Sequence, residues 1–342
     1  MIPATIGARQ PGSRPHWQQQ LAAAITDPAQ LIAALGLPRR LEPAAREAAR
    51  AFPLRVPWSY VRRMRRADPA DPLLRQVLPL GAELRERAGY VSDPLRERAA
   101  LRAPGLLQKY RGRALIVTSG ACAVNCRYCF RREFPYPEQS DTPRWHAALA
   151  EIARDTTLEE IILSGGDPLA LSDARLGSLT RALAQTPHVR RLRIHTRLPI
   201  VLPARIDAGL DAWLRSLPWP VVIVVHANHA NELDEEVLDA CARLRAAGAT
   251  LLNQSVLLAG VNDTSAALAQ LSRRLFEAGV LPYYLHALDR VRGAAHFAVG
   301  GSRARRLAGE LAAQLPGYLV PRLVREQADA PAKVALAPLL PP

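Results

Sequence analysis

Lysine is nearly missing from this 342-residue chain: of its 45 Lys and Arg residues, only Lys109 and Lys333 are lysines. Arginine serves wherever positive charge alone is needed, but its guanidinium stays protonated and cannot form a Schiff base. Each remaining lysine is therefore a candidate for amine chemistry. Long apolar runs are missing too. No window reaches the roughly 18 consecutive apolar residues of a membrane span, and Met1–Arg14 lacks the continuous apolar core of a secretory leader. The expectation is a cytoplasmic protein with no membrane partner. Cysteine is scarce, at four residues. A disulfide framework does not suit a cytosolic chain whose three clustered cysteines cannot pair off.

Acidic residues fall well short of basic ones, leaving a formal charge of +14. A basic surface recruits polyanions by counterion release. Here, however, the arginines are spread along the whole chain among glutamates, and no basic tract is interleaved with aromatics. Solvated arginine-rich faces are the simpler reading, and nucleic acid is not the expected partner.

Prolines at 38, 43, 53, 57, 69 and 72 cut the first hundred residues into short pieces, because proline stops a helix. Trp17–Leu35 (broken at Asp27-Pro28), Pro43–Ala51 and Trp58–Ala67 are predicted helices, so residues 1–105 read as an N-terminal helical extension. From Arg113 the pattern changes to short apolar runs alternating with amphipathic stretches. The predicted strands are Ala114–Thr118, Glu160–Ser164, Leu192–His195, Val221–His226, Thr250–Val256 and Leu281–His286. Helices are predicted over Pro143–Asp155, Ser172–Gln185, Ala204–Ser216, Leu233–Ala247, Ser265–Ala278 and Ser302–Gln314. Alternating units of this size give an α/β fold with a parallel sheet, and six of them an open, partial (β/α)6 TIM-like barrel. The barrel spans 106–316, and 317–342 forms a C-terminal segment carrying Lys333. Polar residues cluster where such a barrel keeps its active site, at the C-terminal strand ends: Cys122, Gly165-Gly166-Asp167, His195-Thr196-Arg197, His226, Gln254 and Asp289.

Three cysteines form Cys122-Ala-Val-Asn-Cys126-Arg-Tyr-Cys129, a C-x3-C-x2-C arrangement. Soft thiolates at such spacing suit zinc or an iron–sulfur cluster. A structural zinc site wants four closed ligands, and Cys241 sits on a predicted helix as a core thiol. Three thiolates on four irons leave one iron open to a small molecule. The triplet, with Ser164-Gly165-Gly166-Asp167-Pro168 after the second strand, resembles the radical S-adenosylmethionine superfamily. That resemblance implies a [4Fe–4S] cluster on Cys122, Cys126 and Cys129, with S-adenosylmethionine contacted by Gly165, Gly166 and Asp167.

From Lys109 to Leu336 the chain further resembles the lysine 2,3-aminomutases. The matching blocks are Cys129-Phe-Arg131-Arg132-Glu-Phe, Ser164 to Asp173, Arg197-Leu-Pro-Ile-Val-Leu-Pro203, His226-Ala-Asn-His229-Ala-Asn-Glu232, Asn253 to Asp263, and Pro282 to Asp289. The resemblance implies pyridoxal 5′-phosphate held through Lys333, with Lys109, Tyr110 and Arg113 toward its phosphate. His226 and Gln254 would contact S-adenosylmethionine, Arg131 the substrate carboxylate, and Asp289 with Glu326 the ε-ammonium of L-lysine. Glu326 stands where the family has a second aspartate. A 5′-deoxyadenosyl radical would take hydrogen from C3 of lysine while the nitrogen migrates, giving β-lysine. Clostridial members join subunits through zinc held partly by a cysteine after the Val-Asn-Asp run. Thr264 follows Asp263 here and no cysteine lies beyond Cys241, so no zinc is expected. The short, zinc-free form resembles the branch making (R)-β-lysine for elongation factor P. An electron donor such as flavodoxin or ferredoxin and an elongation factor P ligase would then be partners; the oligomeric state is left open. The rival readings are an arginine or glutamate aminomutase and an iron–sulfur regulator binding nucleic acid.

Overall fold

The computed structural model describes residues 15–138 and 142–341; the leader question concerns Met1–Arg14, outside that range. Ten strands form one sheet in chain order: β1 (Leu101–Ala103), β2 (Leu106–Tyr110), β3 (Arg113–Ser119), β4 (Glu160–Gly165), β5 (Arg191–Thr196), β6 (Val221–Val225), β7 (Thr250–Val256), β8 (Leu281–His286), β9 (Arg322–Arg325) and β10 (Val334–Ala335). The strands from β3 to β9 run parallel, and antiparallel pairs stand at both edges. The outer strands β1 and β10 do not pair, so the sheet stays open as a partial barrel.

All six predicted strands are present, and the most apolar of them are nearly covered on both faces, as in a parallel sheet between helices. In β6, four of the five residues of Val-Val-Ile-Val-Val are buried. The connecting helices start where short polar side chains cap free backbone N–H groups. Ser172 accepts from Arg175 N, Asp207 from Leu210 N, Asp234 from Val237 N and Thr264 from Ala267 N. No helix among the described residues is long and apolar enough to cross a membrane.

The structure adds four strands at the edges. Arg111-Gly112 turns β2 back onto β3, with Tyr110 opposite Arg113 and Gly112 at φ +76°, a conformation glycine adopts without steric cost. Lys109 and Tyr110 thus lie on a strand rather than in a connection. β9, only four residues long, follows helix Gly301–Gln314 and carries the chain past the strand ends toward Lys333.

The N-terminal residues form helices His16–Ala22, Pro28–Ala34 and Glu42–Ala51, with the expected break at Asp27, whose carboxylate caps the second. The predicted helix Trp58–Ala67 is shorter, ending at Val61. Trp17, Ile25 and Leu31 share one continuous hydrophobic core with Ile194 and Ile223 of the sheet.

Candidate active site

A cavity of about 800 Å³ inside the barrel reaches the C-terminal ends of the parallel strands. Its lining brings together all the residues singled out in the sequence: Cys122, Cys126, Cys129, Gly165, Gly166, Asp167, His226, Gln254, Lys109, Tyr110, Arg113, Arg131, Asp289, Glu326 and Lys333. These residues come from β2, β3, β4 and β7, from the loops after β3, β4, β6 and β8, and from the segment beyond β9.

The cysteine loop follows β3 and is held from outside by the N-terminal extension. Asn125 N donates to Arg55 O at 3.0 Å and Arg127 N to Gln76 O at 2.9 Å. The fully buried Arg127 guanidinium reaches both oxygens of Glu83, at 2.9 and 2.6 Å. Burial, together with the neighbouring sulfurs, pushes the Cys129 thiol up to about 12 and Cys122 well above its ordinary range. Thiolate charge on Cys122 and Cys129 is therefore costly here unless a cation joins them, which is what a metal cluster would supply.

Gly165 and Gly166 make room for this loop. A Cβ on Gly165 would stand 2.6 Å from Ser119 O, and one on Gly166 2.5 Å from Ala121 O. Their close approach is to the chain's own backbone. Asp167 is similarly engaged: Oδ1 accepts from Thr196 Oγ1 (2.7 Å) and Leu169 N (3.0 Å), Oδ2 from Arg197 N (2.7 Å) and Leu198 N (3.2 Å). Burial raises its pKa to about 6 in spite of these donors. Asp167 thus locks the end of β4 to the end of β5.

Across the strands β5 to β8 runs a row of polar side chains with nothing to bind. His195 Nε2, His226 Nε2, Gln254 Nε2 and His286 Nε2 are buried atoms without a hydrogen-bond partner, and all four residues line the cavity. Burial holds His226 down to about 4 and His286 to about 3, so both rings are neutral at physiological pH. Orphaned polar groups of this kind are costly unless a ligand satisfies them. His286 lies within a sequence block already noted, yet only its place beside β7 on the sheet puts it in this row.

At the other edge of the cavity charges meet in a chain. Lys333 Nζ bonds Glu326 Oε2, and Lys109 Nζ lies 3.2 Å from Glu326 Oε1 and 3.0 Å from Glu97 Oε1. Glu97 also grips Arg131 in a two-pronged pair, at 2.6 and 2.8 Å. Burial works against the Glu326 charge, but Lys333 and Lys109 hold its pKa down to about 2. Asp289 has no such partner: burial and the nearby Glu326 charge raise it to about 7. Arg113 stacks over the Tyr110 ring at 4.6 Å. Glu97 is the participant that sequence reasoning missed. It belongs to no local motif, and only packing of the extension delivers it to the site.

Residues 116–271 match the model of the Radical SAM superfamily. The L-lysine 2,3-aminomutase of Escherichia coli (strain K12) is 49% identical over 326 residues, which cover 95% of this chain and 95% of that protein. The chain belongs to the lysine 2,3-aminomutase family. The L-lysine 2,3-aminomutases of Haemophilus influenzae and Clostridium subterminale are 45% and 33% identical, over 94% and 95% of this chain and 96% and 78% of their own lengths. Lysine 2,3-aminomutases are radical SAM isomerases, and membership of that superfamily implies a [4Fe–4S] cluster and S-adenosylmethionine. The residues present fit both groups. Three thiols line one cavity, and the unpartnered row from His195 to His286 offers polar atoms to a ligand beside them.

Proposed function

We propose that this protein is an L-lysine 2,3-aminomutase, converting L-lysine to β-lysine with a [4Fe–4S] cluster, S-adenosylmethionine and pyridoxal 5′-phosphate. The observation that carries this reading is one cavity holding both the cysteine triplet and an amine-bearing lysine, Lys333, in a chain with a single other lysine. Bound there, the cluster and S-adenosylmethionine would supply hydrogen-atom abstraction, and pyridoxal phosphate the carbonyl through which the amino group moves. Cys122, Cys126 and Cys129 would hold the cluster; His226 and Gln254, with unpartnered nitrogens, would hold S-adenosylmethionine. Lys333 would hold pyridoxal phosphate, with Lys109, Tyr110 and Arg113 at the same edge of the cavity for its phosphate.

Selectivity for lysine follows from charge. A buried ammonium must be paired, and Asp289 with Glu326 offers carboxylates in the same cavity. A glutamate substrate would place its side-chain anion against them. Arg131 offers a guanidinium for the substrate carboxylate, and Glu97 fixes its plane. The product is (R)-β-lysine for elongation factor P in this reading, with flavodoxin or ferredoxin as cytoplasmic electron donor and an elongation factor P ligase downstream.

The test is turnover by anaerobically reconstituted protein offered lysine, arginine and glutamate, with chiral analysis of the products. β-Lysine from lysine alone is the expected result. No turnover of lysine by protein loaded with all three cofactors overturns the proposal.

A further inference from the structure

Arg197 stands behind the cysteine loop, and none of the roles above uses its side chain. Its guanidinium is buried at the end of β5. Nη1 donates to Cys126 Sγ at 2.7 Å, while Nη2 reaches Gln76 Oε1 at 2.7 Å, Glu232 Oε2 at 3.0 Å and Tyr60 OH at 3.2 Å. Glu232 is itself fully buried, and its second oxygen accepts from Asn228 N, His229 N and Gln76 Nε2. The result is a fixed cation pointing one nitrogen at a sulfur and the other at a carboxylate.

We propose that Arg197 and Glu232 act as an opposed pair that sets the reduction potential of the cluster through Cys126. The inference rests on the cluster reading of the three cysteines. When one electron enters from an external donor protein or from dithionite, the cluster with its thiolates becomes more negative by one charge. A hydrogen bond to a ligand sulfur and a nearby positive charge both stabilise the more negative state, so both raise the potential. The Glu232 carboxylate opposes this from the far side of the guanidinium. Because Arg197 and Glu232 are buried, water screens little of either effect. Arg197 is a positioning and tuning residue here: it acts on the cluster through the sulfur of Cys126.

The two charges make opposite predictions, which a purely structural role does not. Wild-type, Arg197→Gln and Glu232→Gln proteins are reconstituted anaerobically, and iron and sulfide are counted. The midpoint potential is then read from the EPR signal during titration with dithionite. Arg197→Gln shifts the one-electron equilibrium at least tenfold toward the oxidised cluster, a fall of about 59 mV. Glu232→Gln shifts it the other way. The comparison is repeated by adding Arg197→Gln to the Glu232→Gln background, where removing the guanidinium leaves no carboxylate charge buried alone; there too the potential falls. Equal potentials in fully loaded proteins, or shifts of the same sign for the two single variants, overturn the inference and leave the aminomutase reading standing. Wild-type protein that takes up no cluster overturns both.

Discussion

Lys109 and Lys333 meet on one carboxylate: each ammonium pairs with a different oxygen of Glu326. The only two lysines of the chain lie 224 positions apart in sequence (333 − 109), yet they share a partner. Glu326 is thereby a charged acid with both oxygens engaged, while Asp289 is left as the carboxylate without a cation of its own.

Lys333 is the amine that should bind pyridoxal phosphate covalently. Lys333→Ala abolishes the visible absorption of the bound cofactor, and Lys333→Arg does the same because a guanidinium does not deprotonate to attack a carbonyl. Lys109→Ala keeps the band with weaker cofactor retention. A band surviving in Lys333→Ala would place the covalent site elsewhere.

If Asp289 meets the substrate ammonium as proposed, lysine binding should depend on pH. Its pKa of about 7 means that much of it is protonated below neutrality, when it offers an ammonium no charge. KM for lysine falls as pH rises through about 7, and Asp289→Asn flattens that dependence. Stability moves oppositely. Between about pH 4 in the unfolded chain and about 7 in the fold, the folded protein keeps a proton that the unfolded chain has lost. The apoprotein therefore loses stability as pH rises across that window. Glu326, held down to about 2, contributes stability above its ordinary pKa of about 4.3 and loses it as pH falls toward 2. Urea midpoints of wild-type and Asp289→Asn apoprotein at pH 5 and 8 read the Asp289 effect, because Glu326 contributes in full at both.

Glu97 joins the N-terminal extension to the site through a carboxylate that is 2% exposed. Removing one partner of a buried pair costs about 3–5 kcal/mol, and Glu97→Gln should fall near the lower end because the amide keeps one acceptor. KM for lysine should rise more than kcat falls, since Arg131 keeps its charge but loses its two-pronged support. Denaturant melts and steady-state kinetics check the two parts; an unchanged melt and KM would reduce Glu97 to a bystander.

Gly166→Ala sets a methyl group against Ala121 O, an unyielding backbone atom of the cysteine loop. Iron content per chain after reconstitution should fall. Gly177→Ala, on helix Asp173–Leu183, meets only the flexible tip of Arg181 and should leave iron content unchanged, with stability raised by up to about 1 kcal/mol. Equal iron content in both variants would show that the loop tolerates displacement.

The sequence by itself determined the barrel and most of its site. Apolar runs such as Val221–Val225 are buried on both faces whatever surrounds them, so periodicity alone locates the strands. A parallel barrel then puts the residues after them at one end, which is why Cys122, Asp167, His226 and Asp289 could be grouped before any coordinates. The short edge strands were not legible, since Leu106–Tyr110 and Arg322–Arg325 are defined by pairing rather than by pattern. Only the tertiary structure decided what the charged groups do to one another. Sequence spacing carries no information about which buried charges must neutralise which. The pairing of Glu326 with both lysines, of Glu97 with Arg131, and of Arg197 with Cys126 and Glu232 arises from packing between segments far apart in the chain. There the cost of an unpaired buried charge selects the partner.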